Sequence, residues 1–167
     1  MITPGFAVTM ARYNSWQNAQ LVPSLQALSE DALRQDRGAF FGSLFGTINH
    51  LMWGDQMWLF RFGATPEPKV AAAQHKELTG SLDEWVIERG KTDAAISQWV
   101  SSLTQDILDS EIKWHSVLSD KRMSTPMDMA VMHFFNHQTH HRGQVHAMLT
   151  AAGQSAPVSD IPYMPEG

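Results

Sequence analysis

Apolar residues recur at helical spacing along four long stretches of this chain, a pattern that predicts four long helices. The first opens at Thr3 and Pro4, a capping residue followed by proline, and carries apolar residues as far as Leu28. Pro23 is expected to kink this helix or to end its regular part. The chain then continues through a cap with one short turn at residues 29–33 and a connector at residues 35–42.

The second stretch is apolar around almost its whole circumference. Ser43 is its expected cap, the helix runs from Leu44 to about Phe62, and Gly63 ends it. A helix without a polar face is enclosed by other helices or by a second subunit. Residues 70–80 are expected to form a loop with a turn of helix at residues 71–73.

The third and fourth helices follow capping patterns of their own. Ser81 and Glu84 form a capping box, and the helix that it opens is expected to reach about Leu108. Thr125-Pro126 resembles the Thr3-Pro4 start of the first helix, so the fourth helix is expected to open there and to run to Ala152, before a glycine stop.

Residues 109–124 lose the helical period. The segments 111–115 and 120–124 are expected to pair as a β-hairpin, since the first alternates between the two faces of a strand. Four long helices joined by loops predict an all-α fold, an antiparallel four-helix bundle, with this small hairpin before the last long helix.

The composition restricts the possible functions and leaves the predicted fold unchanged. The 167 residues fit a single domain, residues 1–167, with an extended C-terminal tail over residues 154–167. The absence of cysteine excludes thiolate metal sites and Fe–S clusters, and it fits a reducing compartment. The net charge of −5, without a cluster of basic residues, argues against nucleic acid as a partner.

Other features of the composition concern location and assembly. The N-terminus lacks the pattern of a signal peptide, and no apolar run approaches the ~18 residues of a membrane-spanning helix. We therefore expect a cytoplasmic protein without a membrane partner. Charged residues make up 17% of the chain, which leaves more neutral surface and favours an oligomer.

Histidines are concentrated in the predicted fourth helix, where five of the eight lie within residues 132–146. His137 and His141, four residues apart, stack on the apolar face that also carries Phe134 and Val145. Such a pair can bind one transition metal because the helix sets the separation of the two rings. The alternative is a pair of core histidines that hydrogen-bond to the backbone or to each other.

His50 lies in the second helix, where its one-turn neighbours are the small residues Thr47 and Gly54. They leave space beside the ring, but a helical wheel does not establish that His50 faces His137. The remaining histidines and Arg142 give weaker indications of a functional role. We expect His133 and His140 at the edge of the apolar face, and the alternative is that either lines the pocket as an acid or base. Arg142 is expected to point away from this face as a surface or dimer residue, and His75, His115 and His146 to lie at the surface.

The segments around these histidines resemble motifs of the DinB family. Similarity to its C-terminal helix lies in His133-x3-His137-x2-His140-His141-Arg142-Gly143-Gln144. Similarity to its second helix lies in Asn49-His50-Leu51-x3-Asp55-x2-Trp58-Leu59, and similarity to its tail in Gly153 and Asp160-Ile161-Pro162. The resemblance covers nearly the whole chain, and residues 65–124 are its least distinctive part.

This resemblance implies a four-helix bundle that binds one divalent metal, usually Ni²⁺ or Zn²⁺, through His50, His137 and His141. It also implies a homodimer. Family members with assigned activities are similar to thiol-dependent S-transferases or isomerases that use bacillithiol or mycothiol. The family name refers to induction by DNA damage and gives no reason to expect DNA binding.

Three neutral imidazoles leave at least one coordination position open, as in catalytic rather than structural zinc sites. A metal with such ligands lowers the pKa of a bound water or thiol, so hydrolysis and thiol transfer both stay open. Asp55, Gln144 and Asn136 are the candidate acceptors for the second ring N–H of each ligand.

Three function classes follow from these residues. The first is a metal-dependent enzyme acting on a small molecule, with thiol transfer as the leading reaction and hydrolysis as the alternative. The second is a metal-binding protein without catalysis, and the third is an interaction protein with structural histidines. The chain has no glycine-rich phosphate loop and no G-x-S-x-G elbow, so nucleotide binding and serine hydrolysis have no support, and no catalytic side chain is assigned.

Overall fold

The structure, a computed structural model, describes residues 1–116 and 119–166. It is mostly helical, with α1 (Pro4–Gln26), α2 (Glu30–Arg34), α3 (Leu44–Arg61), α4 (Leu82–Ser101), α5 (Gln105–Leu108) and α6 (Met127–Ala151). Short 3-10 helices cover Ala72–Glu77 and Ile161–Tyr163. A small sheet is formed by β1 (Glu111–Ser116) and β2 (Lys121–Pro126).

Capping side chains set the start of three long helices, as the sequence predicted. The hydroxyl groups of Thr3, Ser43 and Ser81 each accept a hydrogen bond from the backbone N–H three residues further on. Pro23 does not end α1, which continues to Gln26. Gly153 adopts a positive φ of 75° directly after α6, the left-handed conformation of a helix stop.

The hairpin is confirmed. β1 and β2 pair antiparallel, from Glu111 opposite Pro126 to Ser116 opposite Lys121. The predicted start of α6 is wrong, because Thr125 and Pro126 belong to β2, and the hydroxyl of Thr125 accepts a hydrogen bond from the Trp114 indole at 3.1 Å. The two residues that the sequence suggested as a helix cap are therefore part of the paired strand β2, and α6 begins at Met127. Residues 117 and 118 lie outside the described part of the chain.

The third long helix also ends earlier than predicted. α4 stops at Ser101, and Thr104 caps the separate short helix α5 by accepting a hydrogen bond from the N–H of Ile107 at 3.3 Å. A threonine that bonds to the backbone ahead of it favours a new helix start over continuation of the old one.

The four long helices pack in a ring in which α1 contacts α4 and α6, and α3 contacts the same two helices. One apolar cluster joins the N-terminal halves of α1 and α6 to the C-terminal halves of α3 and α4, and a second cluster joins the opposite halves. α1 and α6 therefore run in one direction, and α3 and α4 in the other. This differs from the predicted antiparallel order, because the long connection after α3 carries the chain back along the helices before α4 begins, whereas α6 begins at the end where α4 stops.

A buried polar layer separates the two apolar clusters. Asp55 on α3 lies 2.6 Å from the guanidinium of Arg89 on α4 and accepts a hydrogen bond from Gln138 on α6. Burial lowers the pKa of Arg89, but the carboxylates of Asp93 and Asp55 outweigh burial and raise this pKa above its ordinary value. Arg142, which we expected to point away, is 6% exposed and lies within this layer.

Candidate metal centre

Three imidazole rings converge between α3 and α6. Nε2 of His137 lies 3.2 Å from Nε2 of His50 and 3.1 Å from Nε2 of His141. One nitrogen from each ring lies within 4.8 Å of the others, so this group can hold a metal ion. The structure thus brings together the three histidines that the sequence singled out.

Local and tertiary structure each supply part of this arrangement. His137 and His141 meet because they lie one turn apart on α6. His50 joins them because α3 packs closely on α6 at Gly54, where an added Cβ atom would lie only 2.9 Å from Cε1 of His137. Any larger residue at this position would have to displace the His137 ring or the helix.

The site favours the neutral form of its histidines, which is the form that binds metals. Burial is the main cause that lowers the pKa of His50 to about 2, and the nearby rings of His137 and His141 add to it. Burial, together with neighbouring histidines, lowers the pKa of His137 to about 3. Burial also lowers the pKa of His141, although Gln144 opposes this effect.

A glutamine fixes the orientation of one ring. Oε1 of Gln144 lies 2.8 Å from Nδ1 of His141, so Nδ1 carries the proton and Nε2 keeps its lone pair for a metal. The amide nitrogen of Gln144 is itself 3.2 Å from Nε2 of His140. Gln144 therefore has the contact predicted for it. Asp55 does not, since both its oxygens bond to Arg89 and Gln138, and Asn136 is exposed.

Two neighbours of His50 were not anticipated from the sequence. His75, expected at the surface, is half-buried, and its Nδ1 lies 3.0 Å from Nδ1 of His50. The ring of Phe41 packs on His50 with a centroid separation of 3.8 Å and lies 5.2 Å from the ring of His141. Both residues come from segments between the long helices, where periodicity carries no signal.

The other histidines lie outside the cluster. His133 and His140 are exposed, in agreement with their predicted place at the edge of the apolar face. His115 is exposed on β1, as expected, 3.1 Å from Asp120. His146 is not a free surface residue, because its Nε2 lies 3.1 Å from the carbonyl oxygen of Pro157 in the C-terminal tail.

The donor set suits a divalent transition metal. Three neutral imidazole nitrogens are typical ligands of zinc, nickel, copper and iron, and they do not by themselves select one of these metals. In the part of the chain that the structure describes, no helix is long and apolar enough to cross a membrane.

Comparison with known proteins agrees with the motifs. The chain is 28% identical over 159 residues to Protein DinB of Bacillus subtilis (strain 168), with 93% of this chain and 91% of that protein covered. It is also similar to the crystal structure of a DinB-like protein from Bacillus cereus ATCC 10987, with a TM-score of 0.64 and 21% identity over 87% of this chain and 90% of that chain. The sequence model of the DinB family matches residues 1–167, and the chain therefore belongs to the DinB family.

Proposed function

We propose that this protein is a divalent-metal-dependent enzyme whose metal, Ni²⁺ or Zn²⁺, is bound by His50, His137 and His141. The observation that carries the proposal is the convergence of the three Nε2 atoms, with separations of 3.2 and 3.1 Å across His137. The lowered pKa values of these histidines support it, because they keep the rings neutral at physiological pH.

The proposed reaction is a thiol-dependent S-transfer or isomerisation of a small molecule. A divalent metal bound by three neutral imidazoles lowers the pKa of a thiol or water that reaches an open coordination position. Gln144 contributes by orienting His141, and Phe41 by covering His50. Since the same donor set also activates water, hydrolysis is the alternative reaction, and metal binding without catalysis is the alternative function.

The proposal extends to the fold and the setting of the protein. We interpret the ring of α1, α4, α3 and α6 as a four-helix bundle that forms one domain over residues 1–167, with residues 154–167 as its tail. The absence of cysteine supports a cytoplasmic location, and the net charge of −5 supports the absence of a nucleic-acid partner.

A homodimer is the proposed assembly. The support is an apolar groove of about 550 Å³ between α1 and α6, lined mainly by Phe6, Met10, Met129, Met132 and Phe135. Phe6 and Met129 both line this groove and are 38% and 51% exposed, and a contiguous exposed apolar patch is typical of an interaction surface.

Elemental analysis of the untagged protein, purified without added metal, tests the metal site. We expect close to one Ni or Zn per chain in the wild type, strong loss in His137→Ala, and no change in the control His115→Ala. A wild type that neither retains nor takes up metal, or a His137→Ala variant that retains it fully, would contradict the site.

The metal-loaded protein is then used to distinguish thiol transfer from hydrolysis. Consumption of bacillithiol or mycothiol in the presence of small electrophiles is expected to depend on the metal, and hydrolysis of ester and amide substrates is the comparison. Metal-dependent hydrolysis without thiol transfer would favour the alternative reaction, and neither activity would favour metal binding alone.

A further inference from the structure

A fourth imidazole contacts the candidate centre from a different segment of the chain. His75 lies on the 3-10 helix Ala72–Glu77, and its Nδ1 is 3.0 Å from Nδ1 of His50. The other nitrogen of the His50 ring, Nε2, faces Nε2 of His137. The two nitrogens of His50 therefore have separate partners, one within the cluster and one outside it.

We propose that His75 is a positioning residue of the metal centre, which accepts a hydrogen bond from Nδ1–H of His50 and thereby keeps Nε2 of His50 free for the metal. This inference rests on the proposed three-histidine site. Neither the family motifs nor the cluster of three converging nitrogens includes His75.

Proton accounting supports the direction of this hydrogen bond. Two ring nitrogens 3.0 Å apart need one proton between them. If Nε2 of His50 carries the metal, the proton of the neutral ring must be on Nδ1, so His50 donates and Nδ1 of His75 accepts. Gln144 makes the same kind of contact with Nδ1 of His141 at 2.8 Å. Two of the three proposed ligands are thus oriented through their Nδ1 atoms.

The segment that carries His75 is fastened to α3 on both sides of this residue. The indole N–H of Trp53 donates to the carbonyl oxygen of Val70 at 3.0 Å. The backbone N–H and the hydroxyl of Thr79 both donate to Oδ1 of Asn49, at 2.9 and 2.8 Å. Asn49 and Trp53 flank His50 on α3, so the helix that presents the ligand also places its acceptor.

Packing limits the freedom of the pair further. The ring of Phe41 lies 3.8 Å from the ring of His50 and 5.2 Å from the ring of His75, centroid to centroid. His75 contacts His50 through Nδ1 and does not reach the converging Nε2 atoms, so its position is that of an orienting neighbour rather than a fourth ligand.

The test compares His75→Leu with His75→Asn, because the amide oxygen of asparagine can take the place of Nδ1 as acceptor. Zn²⁺ affinity is measured by competition with a chromophoric chelator, and the ligand set is read from the absorption spectrum of the Co²⁺-loaded protein. We expect His75→Leu to weaken Zn²⁺ binding by about 10- to 100-fold with an unchanged ligand set. His75→Asn is expected to recover most of the affinity, and the exposed control His115→Leu to bind like the wild type.

The possible results distinguish failure of the proposed role of His75 from failure of the three-histidine site. Wild-type affinity in His75→Leu, or equal losses in the leucine and asparagine variants, would overturn the role of His75 and leave the three-histidine site intact. Loss of a nitrogen ligand from the Co²⁺ spectrum of His75→Leu would also overturn it, by making His75 a ligand. A wild type that binds no metal would contradict both the proposed function and this inference. Equal melting temperatures of the metal-free wild type and His75→Leu would show that the loss of affinity is not a loss of folding.

Discussion

Gly54 faces the edge of the His137 ring so closely that a Cβ atom at this position would lie 2.9 Å from Cε1 of His137. Gly54→Ala must therefore displace the ring or the helix, at a cost of about 1–3 kcal/mol, which is roughly 5- to 150-fold in metal affinity if the ligand moves. Competition titration with Zn²⁺ measures this loss. Gly90→Ala on α4 is the control, since nothing lies within 4 Å of its added Cβ atom. Equal affinities in the two variants would contradict the prediction.

Phe41 is predicted to slow the release of metal. Its ring packs on His50 at 3.8 Å, and aromatic pairs of this kind contribute about 0.5–1.5 kcal/mol, or roughly 2- to 12-fold in a rate. Phe41→Ala should therefore release metal faster to an excess of chelator, as followed by stopped-flow absorbance. Tyr163→Ala is the control because the Tyr163 side chain is 73% exposed. A faster release in both variants, or in neither, would be the contrary result.

The metal-free protein is predicted to lose stability in mild acid. The pKa of His50 and that of His137 are lowered to about 2 and about 3 in the fold, whereas an unfolded histidine has a pKa of about 6.5. Between these values the unfolded chain binds more protons than the folded one, so the free energy of unfolding falls as the pH drops below about 6.5.

Bound metal should add a second dependence on pH. Protons compete with the metal for the same imidazoles, so the gain in melting temperature from metal should shrink as the pH falls from 8 to 5. Thermal melts with and without chelator measure it, and His137→Ala should show no gain at any of these pH values. A gain that is the same at every pH would argue against histidine ligands.

The Asp55–Arg89 pair is predicted to be essential for stability. Removal of one partner of a buried ion pair costs about 3–5 kcal/mol, because the other charge stays buried. Asp55→Ala should approach this loss in urea unfolding, since Gln138 loses its acceptor and the buried Arg89 is left with Asp93 alone. Glu30→Ala, which breaks the exposed pair with Arg34, should cost about 1 kcal/mol or less. Similar losses in the two variants would contradict the importance of burial.

The groove between α1 and α6 is predicted to be the dimer interface. The wild type should sediment as a dimer at micromolar concentration, with more than ~1,200 Å² of surface buried in total. Met129→Glu should shift it to a monomer, because a charge would then enter the apolar contact. Ile87→Glu, at an exposed position on α4, is the control and should remain a dimer. A monomeric wild type would contradict the prediction.

The sequence by itself determined the features that depend on near neighbours. Ser43 and Ser81 bond to backbone three residues ahead, so their roles as caps were predictable without knowledge of the fold. The pairing of His137 with His141 was equally local, because the pitch of a helix sets their separation. The hairpin between Glu111 and Pro126 was predictable from a short run of alternating residues.

Only the tertiary structure decided which residues meet across helices. A helical wheel gives the side of α3 on which His50 lies, but it does not give the residue that faces His50. His50 reaches His137 because α3 packs on α6 at Gly54. Arg142 was expected at the surface or in a dimer contact because the helical wheel points it away from the apolar face, yet the fold buries it against Asn14 and Tyr13 of α1. His75 gave no signal because its position depends on contacts of a loop with α3. Such contacts join residues far apart in the chain, and no local spacing encodes them.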